Sequence, residues 1–141
     1  MKARLLTGFA VAAALALTVL IPVSAQAPIY DVTWVAGPPG SEQTYTGTAT
    51  MAVDGKGMVT GKLGLTSPVA VNANLAGNIA KDTLTLEFPY EIPDQQCTGS
   101  IKGTAKVATG LKTFEGTAMI GGACTQDQPF NSTFKFTRRE K

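Results

Sequence analysis

Few residues in this chain are equipped for chemistry, and their types and spacing limit it sharply. There is no histidine, which removes Ser-His-Asp and Cys-His nucleophilic machinery and the commonest transition-metal ligand. The two cysteines, Cys97 and Cys124, act as nucleophiles or ligands only as free thiolates, and their spacing says that they are joined. Folding the chain on Gly110-Leu111 sets Cys97 opposite Cys124, and the apolar or small pairs Gly99/Gly122, Ile101/Ile120, Gly103/Ala118, Ala105/Gly116 and Val107/Phe114 follow in the same register. The positions between are mostly polar and include Lys106 facing Glu115. One register thus sorts both faces, sets an opposite-charge pair and aligns the cysteines, which predicts a disulfide-linked β-hairpin. Glu91 and Asp94 are the only carboxylates close together in a long connection, the raw material of a carboxylate-based hydrolase. A solvated loop accounts for them better, so the reading is a protein without catalytic residues, with that hydrolase as the alternative. No phosphate loop or dinucleotide fingerprint is present. Asp54-Gly-Lys-Gly reads as a turn, and neither a metal nor a cofactor is expected.

What remains is noncovalent recognition. Trp34, Tyr45, Phe88 and Phe130 fall on strand ends beside long connections, with Tyr90 inside one. Gln95, Gln96, Gln126, Gln128, Glu91, Asp94 and Asp127 surround them. An aromatic-lined mouth with amides at its rim suits a small apolar or ring-shaped ligand. The competing reading makes the same rings a plug of core. A second functional class is a protein-interaction module, an inhibitor or envelope accessory factor acting through loops 36–43, 89–96 and 125–129.

The elements that must position these residues are strands. Period-two alternation recurs along the chain, and no stretch after the first 25 residues sustains a helical period. Tyr45, Gly47, Ala49, Met51 and Val53 share one face; Val59 to Leu65, Val69 to Ile79, Leu84 to Phe88 and Phe130 to Phe136 repeat the pattern. With Ile29 to Val35 first, carrying Tyr30, Val32 and Trp34 inward, and the two hairpin strands, the total is eight. Expected turns are Gly55-Lys56-Gly57 joining Val53 to Val59, Lys81-Asp82 joining Ile79 to Leu84, Thr66-Ser67-Pro68 joining Leu65 to Val69, and Gly110 opening a two-residue turn. An eight-stranded antiparallel up-and-down β-barrel follows, with a two-sheet sandwich as the alternative. Glycines 47, 61, 77, 99, 103 and 116 on the inward face mark sharp bends or close packing. In such a barrel the tight turns gather at one end. The longer connections, which hold Pro38, Pro39, Pro68, Pro89, Pro93 and Pro129, gather with the disulfide at the other.

Residues 1–25 have the form of an export signal, with Lys2 and Arg4 before an apolar run and Val23-Ser24-Ala25 at the cleavage point. The expectation is a periplasmic or secreted protein whose single barrel domain is residues 26–141 and which meets a membrane only through that signal before cleavage. Two cysteines in an exported chain fit one disulfide. Its loop of about 28 residues is worth roughly 3.5 kcal/mol in the chain-entropy model. With Lys2 and Arg4 removed from the 12 basic residues, ten face ten acidic ones. No basic patch interleaves with aromatics, which excludes nucleic acid as an expected partner. A membrane barrel would need aromatic girdles that the sequence lacks. Oligomeric state has no sequence signal.

As a whole-domain pattern the chain resembles the calycin group, the lipocalin-like and avidin-like eight-stranded barrels. Lipocalins carry Gly-x-Trp on their first strand, where this chain has Val32-Thr33-Trp34, without the glycine. Arg138 follows the last strand, where lipocalins often set an arginine over that tryptophan. The chain is also similar to short exported bacterial proteins without assigned function. The resemblance implies a closed barrel and ligand binding within it.

Overall fold

A computed structural model describes residues 27–140, and the expected signal, residues 1–25, lies outside them. The strands are β1 (Ile29–Ala36), β2 (Gln43–Val53), β3 (Met58–Ser67), β4 (Val71–Ala80), β5 (Thr83–Ile92), β6 (Cys97–Val107), β7 (Thr113–Gly122) and β8 (Phe130–Arg138). Each pairs antiparallel with its neighbours in sequence, and β8 returns to β1 to close the ring. Closure runs from Tyr30 opposite Arg138 to Val35 opposite Thr133. The alternation seen in the sequence is the wall's inside and outside: β5 reads Leu84, Leu86, Phe88, Tyr90 and Ile92 buried with every intervening residue exposed. The outer face carries threonine, asparagine, lysine and glutamate, and its exposed large apolar side chains, Ile29, Met58 and Met119, are scattered. This is the polarity of a wall facing water, the reverse of a lipid-facing barrel. The sandwich is excluded, because two packed sheets would leave β1 and β8 unpaired with one another.

The cysteine hairpin has the expected register from Gly99/Gly122 to Val107/Phe114. Val53/Val59 and Ile79/Leu84 also pair as expected. In the first of these turns Asp54 Oδ1 accepts hydrogen bonds from the amides of Lys56 (2.8 Å) and Met58 (2.9 Å), and Gly57 takes φ 87°.

Four local expectations change. Leu65 pairs with Val71 rather than Val69: β3 runs on to Ser67, with a bulge where Thr46 faces Ser67 and Gly47 faces Leu65. The shift is two residues, so the buried face is unaffected. At the β6–β7 turn the Ala108 amide donates to the Thr113 carbonyl at 3.0 Å. The loop is therefore Thr109–Lys112 instead of two residues, with Gly110 at φ 75° and Leu111 at φ 59°. Lys106 and Glu115 stand opposite one another, yet each pairs with a different charge: Lys106 with Asp82 of the β4–β5 turn at 3.6 Å and Glu115 with Lys135 of β8 at 3.7 Å. The neighbours on the far side supply those partners, since Glu115 also faces Lys135 across β7–β8 and Lys106 faces Thr83, next to Asp82, across β5–β6. Finally, the span 89–96 is mostly strand. β5 continues through Pro89 to Ile92, and the connection shrinks to a 3-10 turn at Pro93–Gln95 plus Gln96. Pro89 is tolerated because β4 and β5 interrupt their pairing between Ala73/Tyr90 and Gly77/Leu86, where the missing N–H would be needed.

The inward glycines work by close approach. A Cβ on Gly61 would stand 1.8 Å from the Thr50 carbonyl oxygen, and one on Gly116 1.9 Å from that of Thr104. Those strands coil so tightly that a neighbour's backbone occupies the side-chain position. Gly61→Ala and Gly116→Ala are expected to lose about 1–3 kcal/mol in urea unfolding, as overpacking generally does. Gly64→Ala, whose added carbon meets nothing within 4 Å, is the control and should leave stability almost unchanged.

Candidate functional site

The barrel is filled unevenly. Toward the tight-turn end, Tyr30, Met51, Val59, Leu84, Leu86, Phe114 and Phe136 are the bulky, fully buried side chains. Tyr30 and Phe114 have ring centroids 5.4 Å apart, and the Tyr30 hydroxyl donates to the Leu111 carbonyl at 2.8 Å, tying the floor to the β6–β7 loop. Toward the long-connection end the interior opens into a cavity of about 550 Å³, reaching outward between the connections. This is within the size range of small-ligand sites.

Trp34 separates the two halves. Its ring stacks on Phe134 with centroids 4.6 Å apart. Its indole N–H donates to Ser132 Oγ at 2.9 Å, and that hydroxyl donates to the Ala118 carbonyl at 2.9 Å. Ser132 is the one buried side chain among the described residues that is neither apolar nor aromatic, and its role is to consume the indole donor. Trp34 therefore gives the cavity an apolar ring without a free N–H. Leu63, Leu65, Val71, Ile101 and Ile120 complete the apolar wall.

Higher up stand Tyr45, Tyr90 and Phe130. Tyr90 is buried, and its ring lies where a Cβ on Gly99 would be, 2.6 Å from Cε1. Gly99 is thus the clearance that lets this ring lie against the wall. No described residue hydrogen-bonds the Tyr90 hydroxyl, whereas that of Tyr30 has Leu111. Burial, with Tyr45 adding to it, raises the Tyr90 phenol above its ordinary value of 10.0. Burial raises that of Tyr30 as well, and Arg138 opposes the shift. Gln43, Gln95, Gln126 and Gln128 form the rim with Ser41 and Thr125. Among the described residues no charged side chain lines the cavity.

Four of the five aromatics expected at the mouth, Trp34, Tyr45, Tyr90 and Phe130, line this space. Phe88 does not: it lies two residues deeper on β5 than Tyr90 and is buried in the core. Tyr90 comes from a strand, not a loop, which gives it a firmer support than expected. Glu91, Asp94, Gln96 and Asp127 are exposed outside the lining. Arg138 reaches the Gly110 carbonyl at 3.5 Å, at the opposite end from Trp34, so no arginine covers that indole from this position. The sequence reading missed the prolines of the first connection, Pro38 and Pro39, and the wall residues of β3 and β4 as lining groups. Period-two phase marks all of these wall residues as inward but says nothing about which inward residues face empty space.

The Cys97–Cys124 disulfide, with its Cα atoms 5.2 Å apart, lies at the rim. A 3-10 turn precedes Cys97, and a second, Ala123–Thr125, contains Cys124. Each ends in a left-handed glutamine, Gln96 or Gln126. The disulfide therefore fixes both the β5–β6 and β7–β8 connections, and with them Gln95 and Gln126. Among the described residues no group of three His, Cys, Asp or Glu side chains could hold a metal ion.

Comparison with protein-family models, with curated proteins and with solved structures finds no match for this chain.

Two outcomes follow from the polar groups. Ser132→Ala strands the buried indole N–H of Trp34, and should cost about 1–3 kcal/mol in denaturant unfolding. For the phenols, the unfolded chain releases its protons first as pH passes about 10, so stability is full below that value and falls as pH rises further. Urea midpoints between roughly pH 9 and 11.5 should decline, and Tyr30→Phe and Tyr90→Phe should each flatten that decline relative to their own value at neutral pH.

Proposed function

We propose that this is an exported binding protein, periplasmic or secreted, that holds a small apolar or aromatic ligand in the cavity at the long-connection end of its barrel. The observation that carries this reading is the uneven filling of the interior. A barrel of eight strands is just wide enough to be filled by its own side chains, and this one is packed around Tyr30, Phe114 and Phe136 but open above Trp34. The indole donor committed to Ser132, the apolar wall and the uncharged lining support an apolar guest. The disulfide and the rim prolines support a mouth held in shape before binding, which lowers the ordering cost of association. Export is supported by the leader sequence and by the disulfide together. The carboxylates Glu91 and Asp94 stand exposed outside the lining, so binding without turnover accounts for the site better than hydrolysis. An open barrel of this kind is in keeping with the calycin-like resemblance of the sequence, which rests on architecture alone.

The test is titration with N-phenyl-1-naphthylamine, an uncharged ring compound that brightens on leaving water. Saturable brightening with one molecule per chain is expected, together with quenching of the Trp34 emission. Ala36→Phe places a ring in the cavity from the end of β1. It should weaken binding by about tenfold or more, the effect of filling a site with a ring, while the thermal midpoint stays near that of the parent. Absence of saturable binding, or binding indifferent to Ala36→Phe, overturns the reading.

A further inference from the structure

The mouth of the barrel carries acidic residues without basic ones, whereas the tight-turn end carries both, Asp54 and Asp82 among them. Glu42, Glu91, Asp94 and Asp127 lie at the mouth, on or beside the long connections. No lysine or arginine falls on those connections, residues 37–42, 68–70, 93–96 and 123–129. Lys56, Lys81, Lys112, Arg138 and Arg139 lie instead at the tight-turn end. A ligand entering the cavity thus passes four exposed carboxylates and reaches a lining with no charge of either sign. The Tyr90 side chain is buried in that lining, and its hydroxyl, which can donate and accept, has no partner among the described residues.

Resting on the ligand-binding reading above, we infer that the cavity selects an uncharged amphiphile, an apolar body with a hydroxyl, carbonyl or amide head that hydrogen-bonds to Tyr90, and that it rejects anions most strongly. An ionised head of either sign would leave water for an uncharged lining without a counter-ion, which is costly. A cation recovers part of that cost from the carboxylates at the mouth, and an anion is repelled by them. The order of affinity is therefore alcohol, then amine, then carboxylate. The exposed position of those carboxylates makes the gap between amine and carboxylate shrink with added salt.

The experiment compares decanol, decylamine and decanoate at pH 7.5 by displacement of N-phenyl-1-naphthylamine from the whole protein. Decanol is expected to bind at least about tenfold more tightly than decanoate, with decylamine between them. Tyr90→Phe keeps the ring on Gly99 and removes the hydroxyl. It should weaken decanol several-fold and leave toluene unchanged. Lowering the pH to about 4 protonates decanoic acid, so its affinity should rise toward that of decanol, whose own affinity is the control. If decanoate binds within tenfold of decanol at pH 7.5, if decylamine binds tightest, or if Tyr90→Phe leaves decanol unaffected, this inference is wrong while the ligand-binding reading stands. If no probe binds, both are wrong.

Discussion

Closure of the sheet is the constraint from which the rest follows. Once β8 pairs with β1, the interior has a cross-section fixed by eight strands, and each inward position must either fill that section or leave it empty. Large side chains near the tight-turn end fill it. Inward glycines bring neighbouring backbones into contact and let the strands coil round. Above Trp34 the inward residues are aliphatic or small, with rings drawn against the wall, and the same cross-section is left open. Core and cavity are two consequences of one geometry, set by where along each strand the bulky residues stop.

Two buried hydroxyl arrangements show how polarity is managed inside. At the boundary, Ser132 accepts from Trp34 and donates to Ala118, so a potential handle for a ligand is used up within the wall. At the closed end, Tyr30 is satisfied by the Leu111 carbonyl. Tyr90 differs: it faces the open half without such a partner among the described residues, and a buried polar group in that position is satisfied by whatever enters. The mouth around it is braced by the disulfide between Cys97 and Cys124 and by prolines in the connections. Rigidity at the rim and an apolar interior are separate devices, one covalent and one of packing, that serve the same opening.

Much of this architecture is legible from alternation alone. The eight inward faces, the hairpin register and the disulfide follow from a period of two, because a closed antiparallel sheet turns sequence parity directly into inside and outside. What parity does not reveal is length and depth. Pro89 reads as a strand terminator, yet β5 passes through it because the β4–β5 pairing is interrupted beside it. Leu65 and Val69 read as neighbours across a short turn, but β3 runs on to Ser67 and β4 begins only at Val71, which becomes the partner. Phe88 reads as a strand end and Tyr90 as part of a loop, yet both lie on β5, and two residues of depth put one in the packed half and the other in the cavity. One charge pair does depend on closure: Arg139 reaches Asp31 only because β8 lies against β1.

The central claim is that the interior is packed at one end and hollow at the other. Methyl NMR spectra under xenon pressure test it most directly, since xenon enters apolar voids without needing a chemical handle. The account predicts pressure-dependent shifts at Leu63, Leu65, Val71, Ile101 and Ile120, which line the cavity, and silent methyls at Met51, Val59, Leu84 and Leu86. Shifts at the second group, or none at the first, would contradict it.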